Sequence, residues 1–474
     1  MRKLNIIYIA IILALFFAGY YFFRLDDTFI FYKYAKNIAE GNGYVFNLGE
    51  KINATTSPLY TLILALLYWI IKPIYSESFV VLGNLISIFS ILLILFSMKK
   101  IFKNDNYFYL LASIFLALPL LKFGFGMETF LNLALIVFSV HLYTSEKYLL
   151  ASFFTGLTIL ARFDSALFAV IIFLYYIFDK RKFPSIKIIS VFLLVIIPWF
   201  AFSKIYFDSF LPTTIGAKLS QQQLGLFGNG FIFLTNSLRV IPGSYFTIIS
   251  ILLVTLFSTA YLYKKRINIF GNKGLTIILL WSISLFITYS FIIIAPPYQW
   301  YYTPFSIPFS ILFAIVASTI IKKEIVLKSI FAILFIFACV LPIKNLIEGY
   351  NPKYLNFINA VTWLNSNAQE NSTLAVDDIG ILGYYYNKGK LVDALGLINP
   401  EVSTHLKKLD LDWFLNHYKP EFVVHEYPRL QAHLRGNERT FWQNYRVVNI
   451  YESRGEKIAI YKRINLKEFN KEDL

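Results

Sequence analysis

Charge is what this 474-residue sequence has least of. Asp, Glu, Lys and Arg make up 15% of it, where a soluble globular chain carries about 25%. Hydrophobic residues account for 57% and aromatic residues for 19%, and the mean hydropathy is +0.59. A water-soluble enzyme, a disordered chain and a fibrous protein are excluded; the composition is that of a polytopic membrane protein. Cysteine is nearly absent. Cys339 stands alone in an apolar run, which excludes a disulfide framework and a thiolate metal site. Acids are the scarcer sign, 28 against 44 Lys plus Arg, for a formal net charge of +16. The bases gather in short loops between apolar runs, as in Lys180-Arg181-Lys182 and Lys264-Lys265-Arg266. That marks cytoplasmic loops rather than a nucleic-acid surface, so the bilayer is an expected partner and nucleic acid is not.

A spanning helix needs about 20 apolar residues, fewer where its end is buried in protein. Twelve segments are candidates: Asn5–Phe23, Pro58–Ile71, Phe79–Met98, Tyr107–Leu121, Met127–Tyr143, Tyr148–Ala161, Ser165–Phe178, Ile186–Ser203, Gly243–Tyr263, Gly274–Ala295, Tyr301–Ile321 and Ile325–Ile343. Arg2 and Lys3 put the N-terminus in the cytoplasm, and the lack of a small-residue cleavage site marks a retained first span. Charge parity then decides. If every candidate crosses, the basic loops at Lys99–Lys103, Lys180–Lys182, Lys264–Arg266 and Lys322-Lys323 fall outside. If the short Pro58–Ile71 segment lies against the outer face without crossing, all four fall inside. About 11 spans remain, and the C-terminal region lies outside. The expected division is a transmembrane domain over 1–344, with outer loops at 24–78 and 204–242, and an extracytoplasmic domain over 345–474.

This topology sends the unusual polar residues to one face. The first outer loop opens Arg24-Leu25-Asp26-Asp27 and continues with Ile30, Phe31, Tyr34, Ala35 and Ile38 at helical spacing, opposite Lys33, Lys36, Asn37 and Glu40. An amphipathic helix in the outer interface is expected, capped by Asp26 or Asp27 and stopped by Gly41. Capping needs one carboxylate; the pair suits a general base acting on an acceptor hydroxyl beside the membrane. Glu128, in Gly126-Met127-Glu128-Thr129, puts an acid at the outer end of a span, a costly position and by default a functional one. Arg162 and Asp164, two apart, can pair with each other, or Arg162 can meet a phosphate with its planar fork. Lys218 follows Leu211-Pro212-Thr213-Thr214 and is a second phosphate candidate. Tyr298, Trp300 and Tyr301 form an aromatic cluster at a membrane boundary, either an interfacial belt or a stacking surface for a sugar.

The C-terminal region is different material, with ordinary polar content and four of the 5 histidines. Strands at Ser372–Val376, Lys390–Val392 and Phe422–His425, helices at Ile379–Tyr385 and Leu409–His417, and a hairpin of Tyr445–Tyr451 with Lys457–Lys462 make a small α/β domain. His405, His417, His425 and His433 do not fall at metal-ligand spacing. Asp377 and Asp378 end a strand and can touch a polar acceptor or cap the next helix.

Asp26-Asp27-Thr28-Phe29-Ile30, Tyr34-Ala35 and Glu40-Gly41-Asn42-Gly43-Tyr44-Val45-Phe46-Asn47 open an ordered series of motifs. It continues with Gly126-Met127-Glu128-Thr129, Ala161-Arg162-Phe163-Asp164, Leu211-Pro212-Thr213-Thr214 with Ala217-Lys218, and Val376-Asp377-Asp378-Ile379-Gly380 running to Val392-Asp393-Ala394-Leu395-Gly396-Leu397. The series resembles the polyprenyl-phosphate-sugar-dependent glycosyltransferases of the GT-C superfamily, most closely the subgroup of mycobacterial terminal arabinofuranosyltransferases and their bacterial relatives. The resemblance implies a bundle of spans with juxtamembrane helices in the first outer loop and a small extracytoplasmic α/β domain. It implies an inverting enzyme of the cytoplasmic (inner) membrane that moves a sugar from a polyprenyl-phosphate donor to an envelope glycan, lipid or protein. Asp26 and Asp27 would supply the catalytic base, Asp26 first. Arg162 and Lys218 would hold the donor phosphate, and Glu128, Asp164, Tyr298, Trp300, Tyr301, Asp377 and Asp378 would line the substrate site. Metal use varies among such enzymes, and two adjacent acids are compatible with a divalent cation without requiring one. Lys33, Tyr60, Phe163 and Thr213 depart from the residues common in relatives, so arabinose does not transfer as the sugar. Two other classes compete. A transporter or flippase of lipid-linked sugars would place charges mid-span and show inverted repeats, and here the acids crowd one face. An assembly or sensor protein would bind a partner without needing Asp26 and Asp27.

Overall fold

A computed structural model describes residues 2–72, 74–75, 78–102, 105–225, 233, 257–258, 260–262, 264–265, 271–293, 296, 298–321, 323–410, 412–427 and 438–464. The chain forms two compact units: one of 1–23, 56–202 and 227–349, the other of 24–55, 203–226 and 350–474. The second thus gathers two stretches expected in outer loops of the bundle together with the expected C-terminal domain.

The first unit is helical. Its elements are α1 (Arg2–Tyr20), α3 (Pro58–Ile71), α4 (Phe79–Ile101), α5 (Asp105–Ala117), α6 (Thr129–Thr144), α7 (Tyr148–Ala161), α8 (Ala166–Lys180), most of α9 (Ile186–Phe207), α11 (Lys273–Ile287), α12 (Ser306–Ile320) and α13 (Glu324–Glu348). Five described segments are long and apolar enough to cross a membrane, at 79–101, 186–207, 273–292, 299–320 and from 325 onward. Pro58–Ile71, the segment read as non-crossing, is among the shorter apolar helices. The expected span Gly243–Tyr263 lies mostly outside the described residues. Apolar residues point both inward and outward: Ile91, Leu111, Phe130 and Val137 are fully buried, while Phe89, Leu194 and Ile336 are well exposed. In water those exposed faces would be a liability; a hydrocarbon solvent accepts them. This is an integral membrane protein. Helices close tightly where small residues allow it. A Cβ on Gly19 of α1 would lie 2.4 Å from the Pro342 carbonyl of α13.

The second unit contains α2 (Asp26–Ala39), α10 (Thr213–Gln223), α14 (Pro352–Asn367), α15 (Gly380–Tyr385), α16 (Pro400–Lys407), α17 (Trp413–Tyr418) and α18 (Glu438–Asn444). A five-stranded sheet of β1 (Leu374–Val376), β2 (Leu391–Asp393), β3 (Phe422–Glu426), β4 (Tyr445–Ser453) and β5 (Glu456–Arg463) runs in the order β2-β1-β3-β5-β4. β1 is parallel to β2 and β3, with Ala375 opposite Val392 and Val423. β5 is antiparallel to β3 and β4. Arg454 (φ 48°) and Gly455 (φ 87°) close the β4–β5 hairpin, as a two-residue turn with both φ positive requires.

Two expectations about α2 change. Neither acid caps its start: the N-cap is Leu25, with no side-chain cap bond. Nor does the helix offer a solvated polar face. Asp26, Phe29, Phe31, Tyr34 and Asn37 are buried, and Lys33 and Lys36 are partly covered. Burial pulls the Lys33 ammonium down to about 8. The helix is packed inside the unit because its polar residues find local partners. The Asn37 amide donates to the Val45 and Phe46 carbonyls, and the Tyr34 hydroxyl donates to Ile52. Gly41, at φ 81°, ends the helix as expected.

A Cβ on Gly380 would stand 1.8 Å from the Asp26 carbonyl oxygen. Gly380→Ala should therefore destabilise the protein by about 1–3 kcal/mol or more. Gly216→Ala, in α10 with open space around it, should gain about 0.5–1 kcal/mol. Thermal unfolding of both variants in detergent checks the pair.

Candidate functional site

The candidate residues fall into two sets, one within each unit. In the second unit, Asp26 is buried at the start of α2 and Asp27 is half-buried beside it. Both oxygens of Asp26 accept backbone N–H groups from the start of α15: Gly380 N to Oδ2 at 2.9 Å and Ile381 N to Oδ1 at 2.7 Å. Asp26 thus holds the N-terminal turn of a helix more than 350 residues away in sequence. Asp378, just before that helix, makes an ion pair with Lys353 at 2.7 Å. Burial raises the Asp26 carboxyl to about 7; the Asp378 charge adds to this, while Lys353 and the Ile381 amide oppose it. Burial also raises Asp27, opposed first by Lys218. Lys353 is held above its usual value by Asp378, Asp26 and Asp27, against the effect of burial. Three carboxylates and two lysines therefore share one field.

Lys218 is placed by the start of α10. Thr213 N donates to the Asn53 carbonyl at 2.9 Å, and Thr214 Oγ1 donates to the Ala54 carbonyl at 2.5 Å. Thr213 Oγ1 donates to Asn53 and to Leu397. The Leu397 loop is shaped by buried Asp393, whose carboxylate accepts from Leu395 N at 2.7 Å, from Ile398 N at 3.3 Å and from Leu397 N. Asp377, at the end of β1, is paired across the sheet. Its Oδ2 pairs with His425 Nε2 at 2.7 Å, and this pairing raises His425 to about 9 against the effect of burial.

In the first unit, the loop between α7 and α8 carries Arg162, 9% exposed. Its guanidinium grips Asp164 with Nε at 3.2 Å and Nη2 at 2.6 Å, and Glu128 with Nη1 at 2.8 Å. The Tyr289 hydroxyl donates to Asp164. The Tyr301 ring lies 5.4 Å from the guanidinium carbon. Of the two readings of Arg162, pairing is what the structure contains, with Glu128 added. Its cluster carries two carboxylates to one guanidinium, so its formal charge is negative. Tyr298 and Trp300 stack on each other at 4.7 Å.

Lys353, His425 and Tyr289 were not singled out from the sequence. Lys353 carried one faint signal, a cation at the second position of a helix opened by Pro352. A charge there works against the helix dipole unless an acid is at hand. Among the described residues, no group of three or more His, Cys, Asp and Glu is arranged to hold a metal ion. Both Asp26 oxygens already accept amides, and no step is assigned to a cation.

A family model described as a domain of unknown function (DUF8728) matches residues 347–462. A search of curated proteins finds no sequence match. Among solved structures, ArnT from Cupriavidus metallidurans bound to undecaprenyl phosphate aligns over 97% of this chain and 98% of its own, with a TM-score of 0.61 at 10% identity. This chain has the GT-C fold. Archaeoglobus fulgidus oligosaccharyltransferase, in complex with zinc and sulfate, aligns over 84% of this chain and 64% of its own at 12% identity and a TM-score of 0.52. AglB of the same organism, with an inhibitory peptide and a dolichol-phosphate, aligns over 99% of this chain and 75% of its own at 11% identity and a TM-score of 0.51. The GT-C scaffold is thus matched along nearly the whole length of ArnT and over a smaller share of the oligosaccharyltransferases.

Removing Arg162 would leave Glu128 and Asp164 without their shared cation. Arg162→Met should cost about 3–5 kcal/mol, the scale for breaking a buried ion pair from one side. Arg162→Met with Glu128→Gln should cost less than Arg162→Met alone. Denaturation of the three proteins in detergent measures the difference.

Proposed function

We propose that this protein transfers a sugar from a polyprenyl-phosphate donor to a hydroxyl of an envelope glycan, lipid or protein at the outer face of the cytoplasmic membrane, with inversion at the anomeric carbon. One observation carries the reading: on a GT-C fold, buried Asp26 and half-buried Asp27 share a field with Lys218 and Lys353, and burial raises both carboxyls. A general base works best with a pKa near the working pH. The acceptor oxygen attacks the anomeric carbon while its proton passes to a carboxylate. The bond from that carbon to the phosphate oxygen breaks, and polyprenyl phosphate leaves with the electron pair. Lys218, whose charge already acts on Asp27, is assigned the leaving phosphate, where charge develops as the bond breaks.

The two acids have different duties in this reading. Both oxygens of Asp26 are engaged by amides, whereas Asp27 is more open to an incoming hydroxyl. We therefore put Asp27 ahead of Asp26 as the proton acceptor, with Asp26 holding the turn before α15. Arg162 is already shared by Glu128 and Asp164 within the first unit, so the leaving phosphate is not assigned to it.

Release of polyprenyl phosphate from labelled polyprenyl-phosphate sugars, in membranes containing the protein, tests this. Asp27→Asn should lower turnover by about 10²–10⁴-fold with an unchanged melting temperature. Lys218→Ala should raise the KM for donor. Equal turnover in wild type and Asp27→Asn would overturn the assignment.

The pH dependence has a definite sign. A base must be ionised to act, and burial delays ionisation of this pair, so turnover should rise with pH. For a coupled pair the midpoint belongs to both groups, and burial puts it above the ordinary carboxylate range. A rate that stays flat between about pH 5 and 8 would contradict a buried carboxylate base.

A further inference from the structure

The second unit holds a cavity of 370 Å³ that the transfer chemistry above does not use. It opens at the carboxyl ends of the parallel strands β1 and β3, where Asp377 and Asp378 follow one strand and His425 and Glu426 end the other. Open α/β sheets bind ligands at that end. The β4–β5 turn closes one side, with Gly455, Glu456 and Lys457.

The lining is charged but internally matched. His425 is paired with Asp377 at 2.7 Å and Lys353 with Asp378 at 2.7 Å. Lys457 is paired with Glu452 at 2.8 Å. His425, raised to about 9 by Asp377, keeps its proton at neutral pH. Each lining cation thus has its own carboxylate, which does not suit a phosphate. Among the described residues there is also no cluster fit for a metal ion. What the wall offers is fixed carboxylate acceptors beside fixed cationic donors, with the Phe357 and Tyr427 side chains alongside. That is the complement of vicinal hydroxyls on a ring with apolar C–H faces. One further group is unspent. Asn356 lines the cavity and is 1% exposed. Its amide donates to the Glu456 carbonyl at 2.9 Å, and its Oδ1 has no hydrogen-bond partner among the described residues. An orphan acceptor so deeply buried calls for a donor.

We infer that this cavity binds a neutral saccharide unit of the acceptor. The inference rests on the glycosyl-transfer reading for the word acceptor, but the binding itself does not. Lys353 lines the cavity and shares the field of Asp26 and Asp27, which links the cavity to the acidic pair within the same unit.

The test is ligand-observed saturation-transfer NMR on the full chain in nanodiscs, with no donor present. The probes are the methyl glycosides of glucose, galactose, mannose, rhamnose and arabinose. At least one should bind saturably. Asn356→Leu and Lys457→Trp should each weaken it by about tenfold or more, which corresponds to about 1.4 kcal/mol. Lys457, whose side chain is 43% exposed, sits at the rim, so Lys457→Trp plugs the cavity without touching the core and should melt as the wild type does. No binding by any glycoside, or undiminished binding in folded Lys457→Trp, would overturn the inference. Saturable binding that Lys457→Trp weakens, in a protein that turns over no donor, would sustain the cavity and sink the transfer reading.

Discussion

The second unit depends on one carboxylate. Asp26 enters it directly after the first apolar helix and accepts two amides from residues 380 and 381. A buried carboxylate without donors is among the most costly groups a fold can contain. These two N–H groups make it tolerable and fix where the segment beginning at Arg24 docks. The glycine requirement follows, since any side chain on residue 380 would strike the Asp26 backbone. The raised pKa follows as well, because Lys353 and the Ile381 amide do not outweigh burial and the Asp378 charge. Structure and chemistry meet in one residue: the anchor of the fold is also a member of the acidic pair.

The same economy recurs in both units. Nearly every buried charge described above has its partner within hydrogen-bond distance. Arg162 stands between Glu128 and Asp164, Asp393 shapes its own loop through three amides, and His425 answers Asp377. These ions are accounted for locally, and the network orients side chains more than it stabilises them. Such prearranged groups suit a reaction in which a hydroxyl loses a proton as a phosphate departs. They reorganise little as charge moves.

Much of this was legible in the sequence, for definable reasons. Low charge and basic short loops marked a membrane protein because hydrocarbon tolerates little else. Motif order pointed to the GT-C fold before any coordinates. The strands of the C-terminal domain were found within a residue or two, since each is a short apolar run between turn residues. Other features were hidden. α14 was not read from the sequence, although its buried Phe357, Ala360, Val361 and Leu364 stand at helical spacing behind a Pro352 that opens the helix. The burial of α2 was missed because the helix packs against α15, a segment distant in sequence, which periodicity does not see. The Asp26–Gly380 contact, the Lys353–Asp378 pair and the Asp377–His425 pair are all long-range. A single sequence carries the residues but not their pairing.

The most direct test of the account is a cryo-electron microscopy structure of the protein with undecaprenyl phosphate. The account places the phosphate within hydrogen-bond distance of Lys218 Nζ, with the Asp27 carboxylate on the side from which an acceptor would approach. A phosphate bound elsewhere, with Lys218 and Asp27 unchanged in contacts, would contradict the claim that this acidic pair is the reaction centre.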